Sequence, residues 1–169
     1  FSFIYKSSID NSLRNFQYKF LHRIISTNKF LFKIWIKSSP MCNFCNIHIQ
    51  TITHLFLKCV IVISFWKDLN EWLIVKQIRK KYFTHFDICF GVGLSKDISL
   101  INTILLRAKK YIFSCNYWNK APSFPTCVID LIHLEKIEKY IAQKRNSISL
   151  HKKKWNPILT TWWKGIWWI

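Results

Sequence analysis

Three cysteines and one histidine lie within eighteen residues of each other, at Cys42, Cys45, His54 and Cys59. Their spacing, Cys-x2-Cys-x8-His-x4-Cys, is typical of zinc fingers, in which thiolate sulfurs and an imidazole nitrogen bind the metal tetrahedrally. Four protein ligands close the coordination shell and leave no position for water or substrate. The pattern therefore predicts a structural Zn²⁺ site.

The first half of this motif needs a tight turn that directs two sulfurs to one metal. Pro40 favours an extended entry to the turn, and Asn46 tolerates a left-handed exit. The second half, from Thr51 onward, predicts a helix with a threonine cap. Five helical steps turn through about 140°, so the helix must bend or end near Cys59 if His54 and Cys59 share one metal.

Two alternatives accompany the zinc prediction. The three cysteines could be ordinary buried thiols, which are common in protein cores. His48 also lies close enough in sequence to compete with His54 as the fourth ligand.

The residues on both sides of the motif resemble a known family. Residues 16–25, 27–28 and 65–66, together with the cysteine cluster, are similar to the zinc-binding domain at the C-terminal end of non-LTR retrotransposon reverse transcriptases. The resemblance continues to about residue 155. It implies an accessory domain that holds element RNA or target DNA near the polymerase active site during target-primed reverse transcription. It also implies a reverse transcriptase domain upstream as a partner.

The charge balance is strongly basic. Twenty-six Lys and Arg outnumber eight Asp and Glu, which gives a formal net charge of +18. Such a charge favours a polyanionic partner, RNA and/or DNA, and predicts salt-dependent binding. The alternative is that lysine solubilises an aromatic-rich chain or reflects a biased genome composition.

A basic helix face is the predicted contact with nucleic acid. Apolar residues recur at helical spacing over residues 11–27, which predicts an amphipathic helix, and a second short helix is expected after it. The basic residues of these two elements are Arg14, Lys19, Arg23, Lys29, Lys33 and Lys37. The alternative is a solvated helix face without a ligand. The aromatic residues among them are expected to lie mostly in the core: Tyr18, Phe30, Phe32 and Trp35.

The predicted fold is mainly α, with a small helical domain built around the Cys3His zinc site and further amphipathic helices C-terminal to it. We expect a zinc-binding helical domain at 1–80, a helical extension packed on it at 81–150, and a poorly ordered Lys/Trp-rich tail at 151–169. Further helices are predicted at 61–75, at 97–119 with Asp97 as its cap, and at 127–148. An irregular connector is expected at 82–94.

Patterns within the two C-terminal helices predict which side chains are buried. In the helix at 97–119, the basic residues Arg107, Lys109 and Lys110 are expected away from the core. In the helix at 127–148, Ile137 is expected to point inward. Glu135 and Glu138 are expected to form local ion pairs.

The remaining cysteines and the hydropathy pattern indicate in which cellular compartment the protein is expected. Cys89, Cys115 and Cys127 occur singly in apolar settings, so we expect buried thiols in a reducing intracellular compartment, the nucleus and/or the cytoplasm. No run approaches the roughly 18 uncharged apolar residues of a membrane span, and no signal peptide is visible. Because the sequence begins at Phe1 and contains a single methionine, we expect a fragment of a longer protein.

Catalytic constellations are absent from the sequence. The eight acidic residues include no adjacent Asp-Asp pair of the kind that holds two metal ions in reverse transcriptases. We therefore expect no polymerase active site and no small-molecule substrate. Two rival functions remain. A module that contacts the polymerase domain through aromatic residues would bind independently of salt, and a non-functional relic would neither hold zinc nor fold.

Overall fold

Helices dominate the fold, as seen in a computed structural model that describes residues 7–93 and 98–162. The helical segments are α1 Asn11–Leu21, α2 Asn28–Lys33, a π-helical turn His54–Lys58, α3 Val60–Val75, α4 His85–Phe90, α5 Ile98–Tyr117, α6 Phe124–Lys144 and α7 Ile148–Trp162. In these ranges the β-structure is limited to an isolated bridge between Met41 and Ile49. None of these helices is long and apolar enough to span a membrane. The mainly α prediction is confirmed.

Helix α5 forms the centre of the core. Most of its side chains are buried, and it packs against α1, α6 and α7. One cluster of buried side chains extends from Leu13 in α1 to Ile158 in α7. Helices from both predicted units, 1–80 and 81–150, therefore contribute to a shared core.

The helix predicted at 11–27 is shorter in the structure and corresponds to α1, and the second short helix expected after it is α2. Helix α1 begins after Asp10, whose carboxylate accepts a hydrogen bond from the Ser12 N–H at 2.7 Å. It ends at Leu21 because Arg23 adopts a left-handed conformation with φ 58°, which a right-handed helix cannot continue. Thr27 then caps α2.

The connector predicted at 82–94 contains helix α4. Thr84 and Asp87 form a reciprocal capping box at its start, and Asp87 also pairs with Arg79 at 2.9 Å. The Thr-x-x-Asp pattern was present in the sequence and could have predicted this helix start. The predicted cap of the next helix, Asp97, lies outside the described residues.

The C-terminal region is more ordered than the sequence suggested. The predicted helix at 127–148 ends at Lys144, and α7 follows from Ile148 to Trp162. The prediction of a poorly ordered tail is wrong for residues 151–160, because Trp155 and Ile158 are fully buried against the rest of the core. Residues 163–169 lie outside the described part of the chain.

Lys109 in α5 is fully buried, contrary to the prediction that it points away from the core. Its ammonium group donates to Gln17 Oε1 at 2.6 Å and lies 4.6 Å from the centre of the Phe20 ring. Gln17 in turn donates to the Cys89 carbonyl at 3.0 Å. Burial lowers the pKa of Lys109 to about 7, partly opposed by Cys89.

This burial predicts a pH-dependent stability. An unfolded lysine keeps its proton up to about pH 10.4, whereas the folded Lys109 loses it near pH 7. The unfolded state then binds more protons, so stability rises with pH in that window. We expect the free energy of unfolding of the wild type, relative to Lys109→Met, to increase by about 1–2 kcal/mol from pH 7 to pH 8.5. Urea titrations at several pH values measure it.

The matched control is Lys120→Met, which removes an exposed lysine. The free energy of unfolding of this variant should change with pH in the same way as that of the wild type. Parallel curves for wild type and Lys109→Met would show that the buried amine does not release its proton on folding.

Candidate metal centre and adjacent basic surface

A tight turn brings the first two cysteines together. The Cys42 N–H donates to the His48 carbonyl, and the Asn46 N–H donates to the Cys42 carbonyl, both at 2.9 Å. Asn46 adopts the left-handed conformation with φ 55°, as expected from the sequence. The turn therefore presents the side chains of Cys42 and Cys45 on one side.

A π-helical turn positions the other two residues. Thr51 Oγ1 accepts from the His54 N–H at 3.0 Å and caps the turn. The Cys59 N–H donates to the His54 carbonyl at 2.8 Å, and this wider hydrogen-bonded ring inserts one residue relative to an α-helix. The backbone at Cys59 is then extended, with ψ 129°. The prediction that the helix bends or ends near Cys59 is confirmed.

The four predicted ligands form one cluster. The sulfurs of Cys42, Cys45 and Cys59 and a ring nitrogen of His54 all lie within 4.8 Å of one another. The sulfurs of Cys42 and Cys59 are 3.9 Å apart, and Cys45 Sγ lies 3.4 Å from His54 Nε2. Zinc bond lengths in a tetrahedral site place sulfurs about 3.8 Å apart and sulfur and nitrogen about 3.5 Å apart. The donor set and its spacing fit a zinc ion.

His48 is not part of this cluster. It is exposed, and its ring centre lies 5.5 Å from that of His54. Burial and the nearby His48 both lower the pKa of His54, which favours the neutral imidazole that binds metals. Of the two histidines that the sequence left as alternatives, the structure therefore favours His54 as the fourth ligand.

Hydrogen bonds favour the thiolate at Cys45, whereas burial favours the protonated thiol at Cys59. Burial raises the pKa of Cys45, but hydrogen bonds from the backbone N–H groups of Ile47 and His48, together with those to Cys42 and Cys59, lower this pKa overall. At Cys59 burial dominates and raises the pKa to about 12. Metal binding requires deprotonated sulfurs, so a cation at the centre would displace the Cys59 proton.

Aromatic packing attaches the centre to the helical core. Phe56, in the π-helical turn, is fully buried and meets Phe20 of α1 edge to face, with ring centres 5.1 Å apart. The Phe56 carbonyl accepts a hydrogen bond from the Trp66 indole at 2.8 Å. Phe56 thus connects the π-helical turn of the candidate metal centre to both α1 and α3.

A buried amide network holds the cysteine turn to α2 and α5, and sequence reasoning missed it. Asn28 Nδ2 donates to Asn43 Oδ1 at 2.7 Å, and the Asn28 N–H donates to Gln50 Oε1 at 2.9 Å. Gln50 Nε2 donates to Asn116 Oδ1 at 2.8 Å. These amides are far apart in the sequence and follow no ligand pattern, so no local signal could have identified them.

The predicted nucleic-acid contacts lie on the surface. Arg14, Lys19, Arg23, Lys29 and Lys33 are exposed, and Lys37 is half-buried. None of them takes part in the ion pairs found among the described residues. The sequence from residue 11 to residue 67 contains no acidic residue at all. The positive charge of this segment therefore has no counter-charge within the segment itself.

These basic residues divide between two grooves. Arg23, Lys29 and Lys33 line a groove of about 750 Å³. Lys19 and Lys37 line another, of about 580 Å³, together with Lys110 of α5. Arg14 lines neither of these two grooves, so the predicted set is not one continuous row.

The aromatic residues in this region are exposed, which corrects the prediction that most of them lie in the core. Tyr18 is 49% exposed, Phe30 51%, Phe32 42% and Trp35 91%. Helix α2 has only six residues, and among them only Asn28 is fully buried. Its short length explains the error for Phe30 and Phe32, since a two-turn helix cannot bury all of its aromatic side chains.

Comparison with known proteins identifies the N-terminal part of the chain. Residues 1–66 match the family described as zinc-binding in reverse transcriptase. The match includes all four residues of the metal cluster. No curated protein and no solved structure has significant similarity to the chain. The sequence resemblance to the zinc-binding domain of reverse transcriptases is confirmed for these residues.

Proposed function

We propose that this chain is the zinc-stabilised, nucleic-acid-binding accessory part of a non-LTR retrotransposon reverse transcriptase whose polymerase domain lies upstream. The observation that carries the proposal is the unopposed basic surface beside the Cys3His cluster, within the segment that matches the reverse transcriptase family. In this role the chain holds element RNA or target DNA near the polymerase active site, in the nucleus and/or the cytoplasm. It contributes binding and no catalytic group.

In the proposal Cys42, Cys45, His54 and Cys59 hold Zn²⁺. A bound zinc ion supplies folding free energy, because its four ligands do not converge in the unfolded chain. The cysteine turn and the π-helical turn then keep a fixed geometry relative to α1 and α3. The basic residues on α1 and α2 are presented in one orientation as a result.

The larger groove is the proposed site of contact. Arg23, Lys29 and Lys33 border it, which places three cations within reach of neighbouring phosphates. Phe30 and Phe32 line the same groove and are about half exposed. Cations that follow the backbone and aromatic rings that stack on bases are the two components of single-strand binding sites.

Neutralising this groove should weaken binding in a salt-dependent way. We expect Arg23→Gln/Lys29→Gln/Lys33→Gln to reduce the affinity for single-stranded RNA by roughly 10- to 100-fold near 0.1 M salt. The slope of log affinity against log salt should decrease by about 2, since each phosphate contact to a single strand contributes about 0.7. Fluorescence anisotropy of zinc-loaded protein over a salt series measures both quantities.

The matched control is Lys80→Gln/Lys81→Gln/Lys120→Gln, which removes the same charge from exposed positions outside the groove. It should change the affinity by no more than about threefold, because diffuse charge contributes little at this ionic strength. Equal effects of the two triple variants would contradict the proposed contact and leave only non-specific attraction.

A contact with the polymerase domain is the second candidate function. Trp35 is 91% exposed and Ile36 is 67% exposed. These two neighbouring apolar side chains could pack against another protein without any contribution from charge. Trp35 is also held in a left-handed conformation, with φ 61°. This candidate predicts that Trp35→Ala weakens association with the polymerase domain and that the association is insensitive to salt.

A further inference from the structure

In the hairpin formed by α6 and α7, two of the acidic side chains are buried and most of the basic side chains are exposed. Glu135 and Glu138 are buried, with 6% of each residue exposed, and they pair with residues of α7 instead of forming the local ion pairs predicted within α6. Glu135 pairs with His151 at 3.3 Å. Glu138 accepts from Lys154 at 2.8 Å and from the Trp155 indole at 2.8 Å. The carboxylates of both residues are therefore buried and paired within the protein.

The outward charges of the same hairpin are all positive. Asp130, near the start of α6, is paired with Arg107. None of the exposed cations takes part in an ion pair within the described part of the chain. They are Lys136, Lys139, Lys144, Arg145, Lys152 and Lys153. We call this set the hairpin cationic surface.

The surface also carries an exposed aromatic ring and a groove. Tyr140 is 60% exposed, and Lys144 Nζ lies 5.6 Å from the centre of its ring. Lys136, Tyr140 and Lys144 follow one another at four-residue spacing, which places them in one row along α6. Arg145 and Lys153 line a groove of about 460 Å³ that is shared by both helices. The row therefore lies on the outward side of α6, and Arg145, the residue after Lys144, lies at the groove.

We infer that the hairpin cationic surface is a second nucleic-acid contact, in which its cations bind phosphates of a single strand and Tyr140 stacks on a base. The surface lies outside residues 1–66 and shares no residue with the groove at α2. An ordinary solvated helix face would mix both signs of charge, whereas here each acidic residue is turned inward or paired. The inference goes beyond the proposed function, because it gives the chain two separate points of attachment to one ligand.

The test uses the zinc-loaded full chain and a labelled single-stranded RNA of mixed sequence. We expect Lys144→Gln/Arg145→Gln/Lys153→Gln to lower the affinity by about tenfold or more and to reduce the salt slope by about 2. The control is the same triple variant at Lys80, Lys81 and Lys120. Ultraviolet crosslinking should place a contact at Tyr140 in the wild type. Zinc content and circular dichroism establish that each variant is folded.

The outcomes separate this inference from the proposed function. If the hairpin variant matches the control in affinity and slope, and Tyr140 does not crosslink, the hairpin contact is overturned while the groove at α2 can still bind. If the wild type does not bind RNA at any salt concentration, both are overturned. Loss of binding in the hairpin variant, with the fold intact, establishes the second contact.

Discussion

Replacing Cys45 with serine should lower the free energy of unfolding by more than about 4 kcal/mol, a loss typical of a removed metal site. Cys45 Sγ lies 3.4 Å from His54 Nε2 and belongs to the four-residue cluster. A serine hydroxyl is a poor zinc ligand, so the variant should lose the metal and with it the folding free energy that structural zinc supplies. Thermal unfolding followed by far-UV circular dichroism measures the loss.

Cys89→Ser is the matched control for this substitution. Cys89 is a free thiol with the same intermediate burial as Cys45, and it lies outside the cluster. Its carbonyl, not its sulfur, accepts the hydrogen bonds of Gln17 and Lys109. We expect this control to cost about 1 kcal/mol or less. Equal losses for both variants would mean that Cys45 stabilises the fold only as a packed side chain.

Replacing Trp155 with alanine should cost about 3–5 kcal/mol, the usual range for deleting a large buried aromatic side chain. Trp155 is fully buried and is among the largest such side chains in the structure. Its indole N–H also donates to Glu138 at 2.8 Å. The substitution therefore opens a cavity and removes one partner of a buried carboxylate. Urea denaturation of the zinc-loaded chain measures the change.

Trp118→Ala is the control, because Trp118 is 69% exposed. Its removal should change stability by about 0.5 kcal/mol, as is usual for surface positions. If Trp155→Ala were as mild as Trp118→Ala, helix α7 would not be part of the core. The poorly ordered tail expected from the sequence would then be the better description.

The metal cluster could be predicted because its four residues lie close together in the sequence. Cys42, Cys45, His54 and Cys59 stand within eighteen residues, and their spacing alone limits the chemistry that they can perform. The bend at Cys59 followed from helical geometry for the same reason. Helix α3 could also be predicted to within one residue at its start, since Trp66, Leu69, Trp72 and Leu73 recur at helical spacing.

Contacts between distant segments could not be predicted. Lys109 lies beside the apolar stripe of α5, but its charge made burial unfavourable until Gln17 and the Cys89 carbonyl were in place. Glu138 was expected to form a local ion pair within its own helix, and it is buried because Lys154 and Trp155 of the following helix satisfy its carboxylate. In each case the compensating partner comes from a different helix, which a periodic pattern does not reveal.

The burial of the aromatic side chains of α2 was predicted wrongly. Phe30 and Phe32 are apolar residues of the kind found in cores, and they are exposed because α2 is too short to bury them. Their exposure beside Lys29 and Lys33 strengthens the proposed binding surface. The division of the chain at residue 80 remains a prediction.

The measurement that tests the central claim most directly is the zinc content of the purified wild-type chain, combined with circular dichroism before and after chelation. We expect one zinc per chain, loss of helical signal on chelation, and recovery when zinc is restored. A chain that holds no zinc, or that keeps its helices without it, would contradict the claim that the Cys3His centre organises the fold.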